Sequence, residues 1–366
     1  MRKSIKSLAV IAGLALSATS LAACGSDNAT ETAENTKKVE TTDISGKLAG
    51  AGASSQKSAV EAWKAGFADV AKNVEVTYDP TGSGAGVTTF LQGGVAFAGT
   101  DEALSSEEVD KSAAVCKDSK AINLPVYVSP VVVAFNLEGI KTLNMKPETI
   151  AKIFRGEITK WNDPAIAADN ADAKLPDSKI VAIHRADQSG TTENFTDYLH
   201  AAAPSAWPDD PSKDWPVAGG ESGDKTAGVV DNLKKTVGAI GYIDASQAGD
   251  FGTAALQAGD GFVEYSAEAA AKIVESAEVE DGREKNDLAL NLNRTPDDPE
   301  AYPLVLVSYY AVCPQYKDAN TAKMVKAWVN YVVSAEGQQK AAEAAGSAPL
   351  GAEITKKITT ALDEIK

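Results

Sequence analysis

Apolar residues in this chain recur at two different spacings. A short run at 48–52 reads as a first strand, and Val60, Trp63 and Phe67 then fall at the spacing of one helix face. Val74, Val76 and Tyr78 alternate as strand residues do, and Val87, Phe90 and Leu91 mark a second helix. The run 121–135 is rich in β-branched residues and broken by Pro125 and Pro130, which predicts extended chain. Further on, 147–154 reads as a helix, 180–183 as a strand, and Phe195, Tyr198 and Leu199 as a helix face. A short strand at 238–243, a second long β-rich run at 304–312 and an amphipathic helix at 324–333 follow. Strands in alternation with helices predict an α/β fold with mainly parallel pairing. The two long β-rich runs, 121–135 and 304–312, are placed to cross between two lobes.

Three of the strand-to-helix turns are built from glycine and hydroxyl residues. They are Gly50 to Ser55, Thr81 to Gly86, and Arg185 to Thr191. A helix start presents unpaired N–H groups and the positive end of the helix dipole. Glycine allows close approach to that backbone, and serine or threonine adds donors. Only the third turn carries a fixed positive charge, Arg185. Focused on one point, the three turns would hold a small tetrahedral oxyanion. The same residue types also serve as plain helix caps, and Arg185 could equally form a structural salt bridge.

The N-terminus reads as an export signal. Arg2, Lys3 and Lys6 precede a mostly apolar stretch that is short for a membrane span. It ends in Leu21-Ala22-Ala23-Cys24, which resembles the lipobox of bacterial lipoproteins and implies lipidation of Cys24 after removal of residues 1–23. An ordinary secretory signal is the alternative. Residues 24–46 are polar and read as a flexible tether. Composition then narrows the partners. The formal net charge is −16, and it becomes more negative if the leader takes its three cations with it. That excludes nucleic acid and an anionic membrane surface as natural partners, and leaves an anion site dependent on short-range donors. In an oxidising compartment Cys116 and Cys313 are expected to pair, the alternative being two buried thiols. With two histidines and no ligand spacing, neither a metal nor another cofactor is expected.

Together these motifs resemble the phosphate-binding lipoprotein of the bacterial high-affinity phosphate ABC importer. The likeness spans most of residues 47–350. It rests on Gly50-Ala51-Gly52-Ala53-Ser54, on Tyr78 to Gly86 followed by Val95 to Asp101, and on Arg185-Ala186-Asp187-Gln188-Ser189-Gly190-Thr191. Ile153 to Asn162 and Gly238 to Ile243 resemble scaffold segments of that family. Ser55 stands where an aromatic is common, and Gln188 where glycine is common. The resemblance implies a two-lobed periplasmic-binding-protein fold of class II type, with a ligand cleft between lobes joined by two crossing strands. Lobe 1 would comprise 47–131 and 307–366, and lobe 2 would comprise 132–306. It implies a monomer that carries inorganic phosphate to a membrane permease, held at the outer face of the cell membrane by its lipid.

On this reading Ser54, Ser55, Ser83, Ser189, Gly190 and Thr191 donate to phosphate, and Arg185 offers a planar fork to two of its oxygens. Asp101 makes sense beside an anion only if that anion carries a proton for the carboxylate to accept. Sulfate carries none near neutral pH and would leave a buried charge unpaired, at a cost of a few kcal/mol. A structural role for Asp101, as a helix cap or a partner of Arg185, is the alternative. Three helix ends of about half a charge each, with Arg185, are expected to balance Asp101 and the ligand. A receptor for sulfate or molybdate is the competing reading. An enzyme such as a phosphatase or serine hydrolase is disfavoured, because no Gly-x-Ser-x-Gly elbow surrounds Ser189 and no metal cluster is present in the sequence.

Overall fold

The computed structural model describes residues 43–366, so the leader, Cys24 and the tether up to residue 42 lie outside the described residues. Ile44 is already buried. The chain then runs through β1 (Gly46–Gly52), α1 (Lys57–Val70), β2 (Val74–Asp79), α2 (Ser83–Leu91), β3 (Phe97–Thr100) and α3 (Ser106–Ser112). The long strand β4 (Ile122–Phe135) leads to β5 (Thr142–Met145), α4 (Pro147–Phe154), α5 (Pro164–Ala168), β6 (Val181–Arg185) and α6 (Gly190–Ala202). Next come β7 (Glu221–Gly223), α7 (Lys225–Lys235), β8 (Ala239–Asp244), β9 (Gly252–Ala258), β10 (Gly261–Val263), α8 (Ala267–Glu275), β11 (Glu278–Val279) and β12 (Leu290–Asn291). The return strand β13 (Val305–Val312) precedes α9 (Ala319–Val332), α10 (Ala335–Ala345) and α11 (Ala352–Asp363).

The strand order β2-β1-β3-β13-β4-β8-β6-β7 has two wings that share β4. Within each wing the βα units pair in parallel: β1 with β2 and β3, and β6 with β7 and β8. The expectation of mainly parallel pairing fails along the long strands. β13 runs antiparallel to β3 and β4, and β4 antiparallel to β8 and β9. The reason is topological: β4 carries the chain out of the first wing and β13 brings it back, so the two must oppose each other.

β4 pairs with β13 up to Pro130 and with β8 from Val131 onward. Just ahead of β13, the Val131 N–H donates to the Leu304 carbonyl at 2.9 Å. Proline cannot donate to a sheet ladder, and both prolines of β4 sit where the ladder is irregular. Pro130 marks the change of partner. Pro125 flanks a bulge, where Ser308 faces Tyr127 and Tyr309 faces Pro125, so that Val126 is the extra residue.

Helices cover the sheet by burying one face each. Val60, Trp63 and Phe67 of α1 are buried, and the Trp63 Nε1–H donates to Gly337 O of α10 at 2.7 Å. Phe97 and Tyr310 meet beside them with ring centroids 4.7 Å apart. In the other wing Phe195 of α6 stacks on Tyr242 of β8 at 4.3 Å. Each such buried apolar side chain contributes about 1.5–3 kcal/mol. Cys116 and Cys313 form a disulfide across 197 residues of sequence, within a small cluster that includes Val87, Phe90 and Val109.

Because the disulfide closes so long a loop, its loss in a Cys116→Ala/Cys313→Ala variant is expected to cost about 3–5 kcal/mol of unfolding free energy. Urea titration of both forms measures this. A difference under about 1 kcal/mol would mean that sheet pairing alone already holds β13 in place.

Candidate functional site

The three Ser/Gly turns converge on one residue, Asp101. β3 ends at Thr100 and delivers Asp101, which is only 2% exposed. The Ser55 hydroxyl, from the turn into α1, donates to Asp101 Oδ1 at 2.6 Å. The Thr191 hydroxyl, from the first turn of α6, donates to Oδ2 at 2.9 Å. The Asp101 backbone N–H donates to Ser83 Oγ at the start of α2, at 3.3 Å. A fourth residue, Ser308 of β13, donates its hydroxyl to Oδ1. Burial pushes the Asp101 carboxyl above its ordinary range, against the pull of the bonds from Ser308, Ser55 and Thr191 and of the Arg185 charge.

Arg185 ends β6 with its side chain 3% exposed. Its backbone N–H donates to the Tyr242 hydroxyl at 3.1 Å. Its guanidinium is held by Asp187 rather than by Asp101: Nε donates to Oδ1 at 2.7 Å and Nη2 to Oδ2 at 2.6 Å. Asp187 Oδ1 also accepts the Lys225 N–H at the start of α7, at 3.0 Å. Although burial works the other way, the Arg185 bond and charge hold the Asp187 carboxyl below its usual range. This fork aims Arg185 and leaves its Nη1 edge to other acceptors. Gly82, at φ +94°, makes room for the pair, since a Cβ there would lie 2.5 Å from Asp187 Oδ2.

The remaining expected donors divide into two kinds. Ser83 Oγ accepts the Asp101 N–H, and Ser189 Oγ accepts the Thr192 N–H as the cap of α6 at 3.3 Å. Each keeps its own hydroxyl proton to give. Ser55 and Thr191 have committed theirs to Asp101, so what they can add is backbone N–H. The first-turn N–H groups of Gly190 and Thr191 have no carbonyl to reach within their own helix. The Ser189 N–H is taken by Lys213 O at 3.0 Å. Ser54 reaches across to α7, where its Oγ lies 3.0 Å from Thr226 Oγ1. Gln188 ties two turns together by accepting the Gly84 N–H at 3.3 Å. His184 stacks on Trp215 and meets the Arg185 carbonyl, away from Ser189.

Participants that were not among the expected site residues include Ser308, Asp187 as the arginine's partner, Thr226 and Asn194. Asn194 is 1% exposed and donates to both Asp101 O, at 2.6 Å, and Gly190 O, at 2.9 Å. The Arg185-x-Asp187 spacing was visible in the sequence, whereas nothing local marked the other three. Asp101 also lines a cavity of about 220 Å³ bounded by Glu102, Glu193, Asp197, Glu280 and Arg294. Burial and then the Glu193 charge push the Glu102 carboxyl up, so this excess of acids is no place for an anion.

A family model described as a PBP superfamily domain matches residues 30–336. Phosphate-binding protein PstS 3 of Mycobacterium tuberculosis is 34% identical over 98% of this chain and 98% of its own length. The chain belongs to this superfamily and, within it, to the PstS phosphate-binding proteins. PstS 2 of the same organism is 33% identical over 87% of each chain. Among solved structures, a high-affinity periplasmic phosphate-binding protein bound with phosphate at pH 8.5 superposes with a TM-score of 0.71 at 19% identity, over 86% of this chain and 93% of that one. The α/β fold is thus the two-lobed one of periplasmic binding proteins, and the turns gathered at Asp101 come from both wings of the sheet.

Within this PstS fold Asp187 adds a negative charge that the expected balance did not include, so the Arg185 charge is shared between Asp187 and Asp101. Close packing, in contrast, is strict. A Cβ on Gly190 would fall 2.8 Å from Asp101 Cβ and 3.0 Å from its carbonyl carbon. Alanine at a free helical position stabilises by up to about 1 kcal/mol over glycine. Gly190→Ala is nevertheless expected to destabilise by about 1–3 kcal/mol, because the helix must back away from Asp101. A raised melting temperature would show that the contact yields freely.

A second carboxylate near the site carries a pH signature. Asp244 is fully buried, accepts from the Tyr127 hydroxyl at 3.2 Å and from the Ser246 N–H at 2.9 Å, and is pushed by burial up to about 6. The folded chain therefore holds this proton more tightly than the unfolded one. The stabilisation is fully present below about pH 4 and is lost as pH rises through the folded value, for roughly 3 kcal/mol in all. Asp244→Asn should fall less steeply in stability from pH 4.5 to 7.5 than the parent chain, measured by urea midpoints. Parallel profiles would remove Asp244 as a source of the slope.

Proposed function

We propose that this chain is an exported receptor that closes its two lobes on one inorganic phosphate and delivers it to the membrane permease of an ABC importer. The observation that carries the proposal is the position of Asp101. It is a buried carboxylate fed by hydroxyls from Ser55, Ser308 and Thr191, at the point where three helix starts, the Arg185 turn's among them, come together. Ser83 and Ser189 would give hydroxyl protons to the ligand. Ser55, Gly190 and Thr191 would give backbone N–H groups, Ser54 would close the cleft rim, and Arg185 would give its Nη1 edge. Asp101 would accept the proton that phosphate keeps and sulfate lacks. The lobes are taken as 47–131 with 307–366, and 132–306, hinged where β4 changes partners.

The names and near-full-length similarity of the PstS relatives support a binding protein rather than an enzyme. Closure is a population shift: the ligand favours the closed form by the bonds it makes only there. The lipobox-like Leu21-Ala22-Ala23-Cys24 supports lipidation at Cys24, which would tether the receptor beside its permease. A receptor for another oxyanion is the second reading, and Asp101 argues against any anion without a proton.

Calorimetric titration of a form beginning after Cys24, stripped of bound ligand, tests this. One-to-one phosphate binding is expected at least about a hundredfold tighter than sulfate, matching a few kcal/mol for an unpaired buried charge. Asp101→Asn should narrow that gap. Equal binding of both anions by the parent chain would keep an oxyanion cleft and remove Asp101 as discriminator. Binding of neither by folded protein would end the phosphate reading.

A further inference from the structure

Ser308 does not belong to any of the three turns. It lies on β13, fully buried, beside the bulge where β13 faces Tyr127 and Pro125 of β4. Its hydroxyl donates to the same oxygen, Asp101 Oδ1, that Ser55 uses. Oδ2 has the single bond from Thr191. The two oxygens are therefore unequal. Oδ1 is saturated by donors carried on the same wing as Asp101, and Oδ2 retains acceptor capacity.

We propose that Ser308 is a specificity-determining positioning residue: by saturating Oδ1 it keeps Asp101 an acceptor, with Oδ2 the oxygen that meets the ligand proton. This rests on the reading of Asp101 given above. A neutral carboxyl in the same place would be a donor, able to serve an anion that has no proton, and the discrimination would vanish. Burial pushes that way. Tyr78 of β2, Tyr127 of β4 and Asp244 of β8 face Asp101, Glu102 adjoins it, and none carries a positive charge. Arg185 of β6 is the cation facing it, and Asp187 largely neutralises that charge. Burial pushes the carboxyl toward its neutral form, and the hydroxyl donors pull it back toward the ionised one. Of the three, Thr191 arrives from the other wing, so Ser308 and Ser55 must do this before the lobes close.

The test is the ratio of phosphate to sulfate affinity from pH 5 to 8.5, by calorimetry on the chain beginning after Cys24. For Ser308→Ala the ratio should fall about tenfold or more near neutral pH. The pH below which sulfate begins to bind should rise by roughly one unit. Ser308→Thr, which restores a hydroxyl, should move both back toward the parent. A Ser308→Ala protein that binds phosphate with the parent's ratio and pH profile would overturn the proposal and leave the receptor reading intact. Failure of the parent chain to bind phosphate would instead strike the receptor reading itself. Should Ser308→Ala not fold, Ser308→Cys, a much weaker donor at the same place, is titrated under the same two outcomes.

Discussion

A carboxylate cut off from water must be supplied with donors, and the architecture around Asp101 is organised by that requirement. A lone buried charge costs far more than any single contact nearby returns. Asp101 meets the cost with hydroxyls from three places far apart in sequence, Ser55, Thr191 and Ser308. Each arrives on a different element, so the carboxylate fixes the mutual placement of α1, α6 and β13. Asn194 reinforces this by binding the Asp101 carbonyl, and Gly190 allows α6 to come near enough for both contacts. On the proposed reading, selectivity and assembly would share one set of bonds.

The long strands explain how such a point can also move. β4 is buried over its whole length, yet it belongs to one wing up to Pro130 and to the other from Val131. A strand continuous through both wings resists sliding but tolerates a change of twist at the junction, where proline already leaves a gap in the ladder. Ser55 and Ser308 lie on the same wing as Asp101, while the bonds from Thr191 and Asn194 to Asp101, from Gly84 to Gln188 and between Ser54 and Thr226 are among those that span the wings. In the proposed receptor, closure would be read by bonds that form late, on a carboxylate already held by bonds that persist.

Much of this was legible in the sequence because it is local. The Ser/Gly turns announce themselves through residue type and position before a helix, and Pro125 and Pro130 told that 121–135 was strand. Pairing direction was misjudged because βα alternation speaks only for neighbouring strands, and β4 meets β13 across more than 150 residues of chain. The partners of the hydroxyls were not legible either. Ser55 and Thr191 look like ligand donors in sequence, and only the fold shows their protons going to Asp101. Ser308 sits in an apolar strand with no turn motif beside it, so nothing in its surroundings singled it out.

The pairing of Arg185 with Asp187 changes what kind of anion site this is. An arginine left free in a cleft attracts any anion and raises the local potential for all of them alike. Here the chain is strongly acidic, its central arginine is matched by Asp187, and Asp101 adds a further negative charge. Long-range attraction therefore contributes little, and what remains are fixed donors at short range plus one acceptor. On the proposed reading such a site would give up breadth for discrimination: it would hold an anion only where donors and acceptor are all answered at once, and a ligand that matched every donor but offered no proton would leave the free acceptor capacity of Asp101 Oδ2 facing like charge.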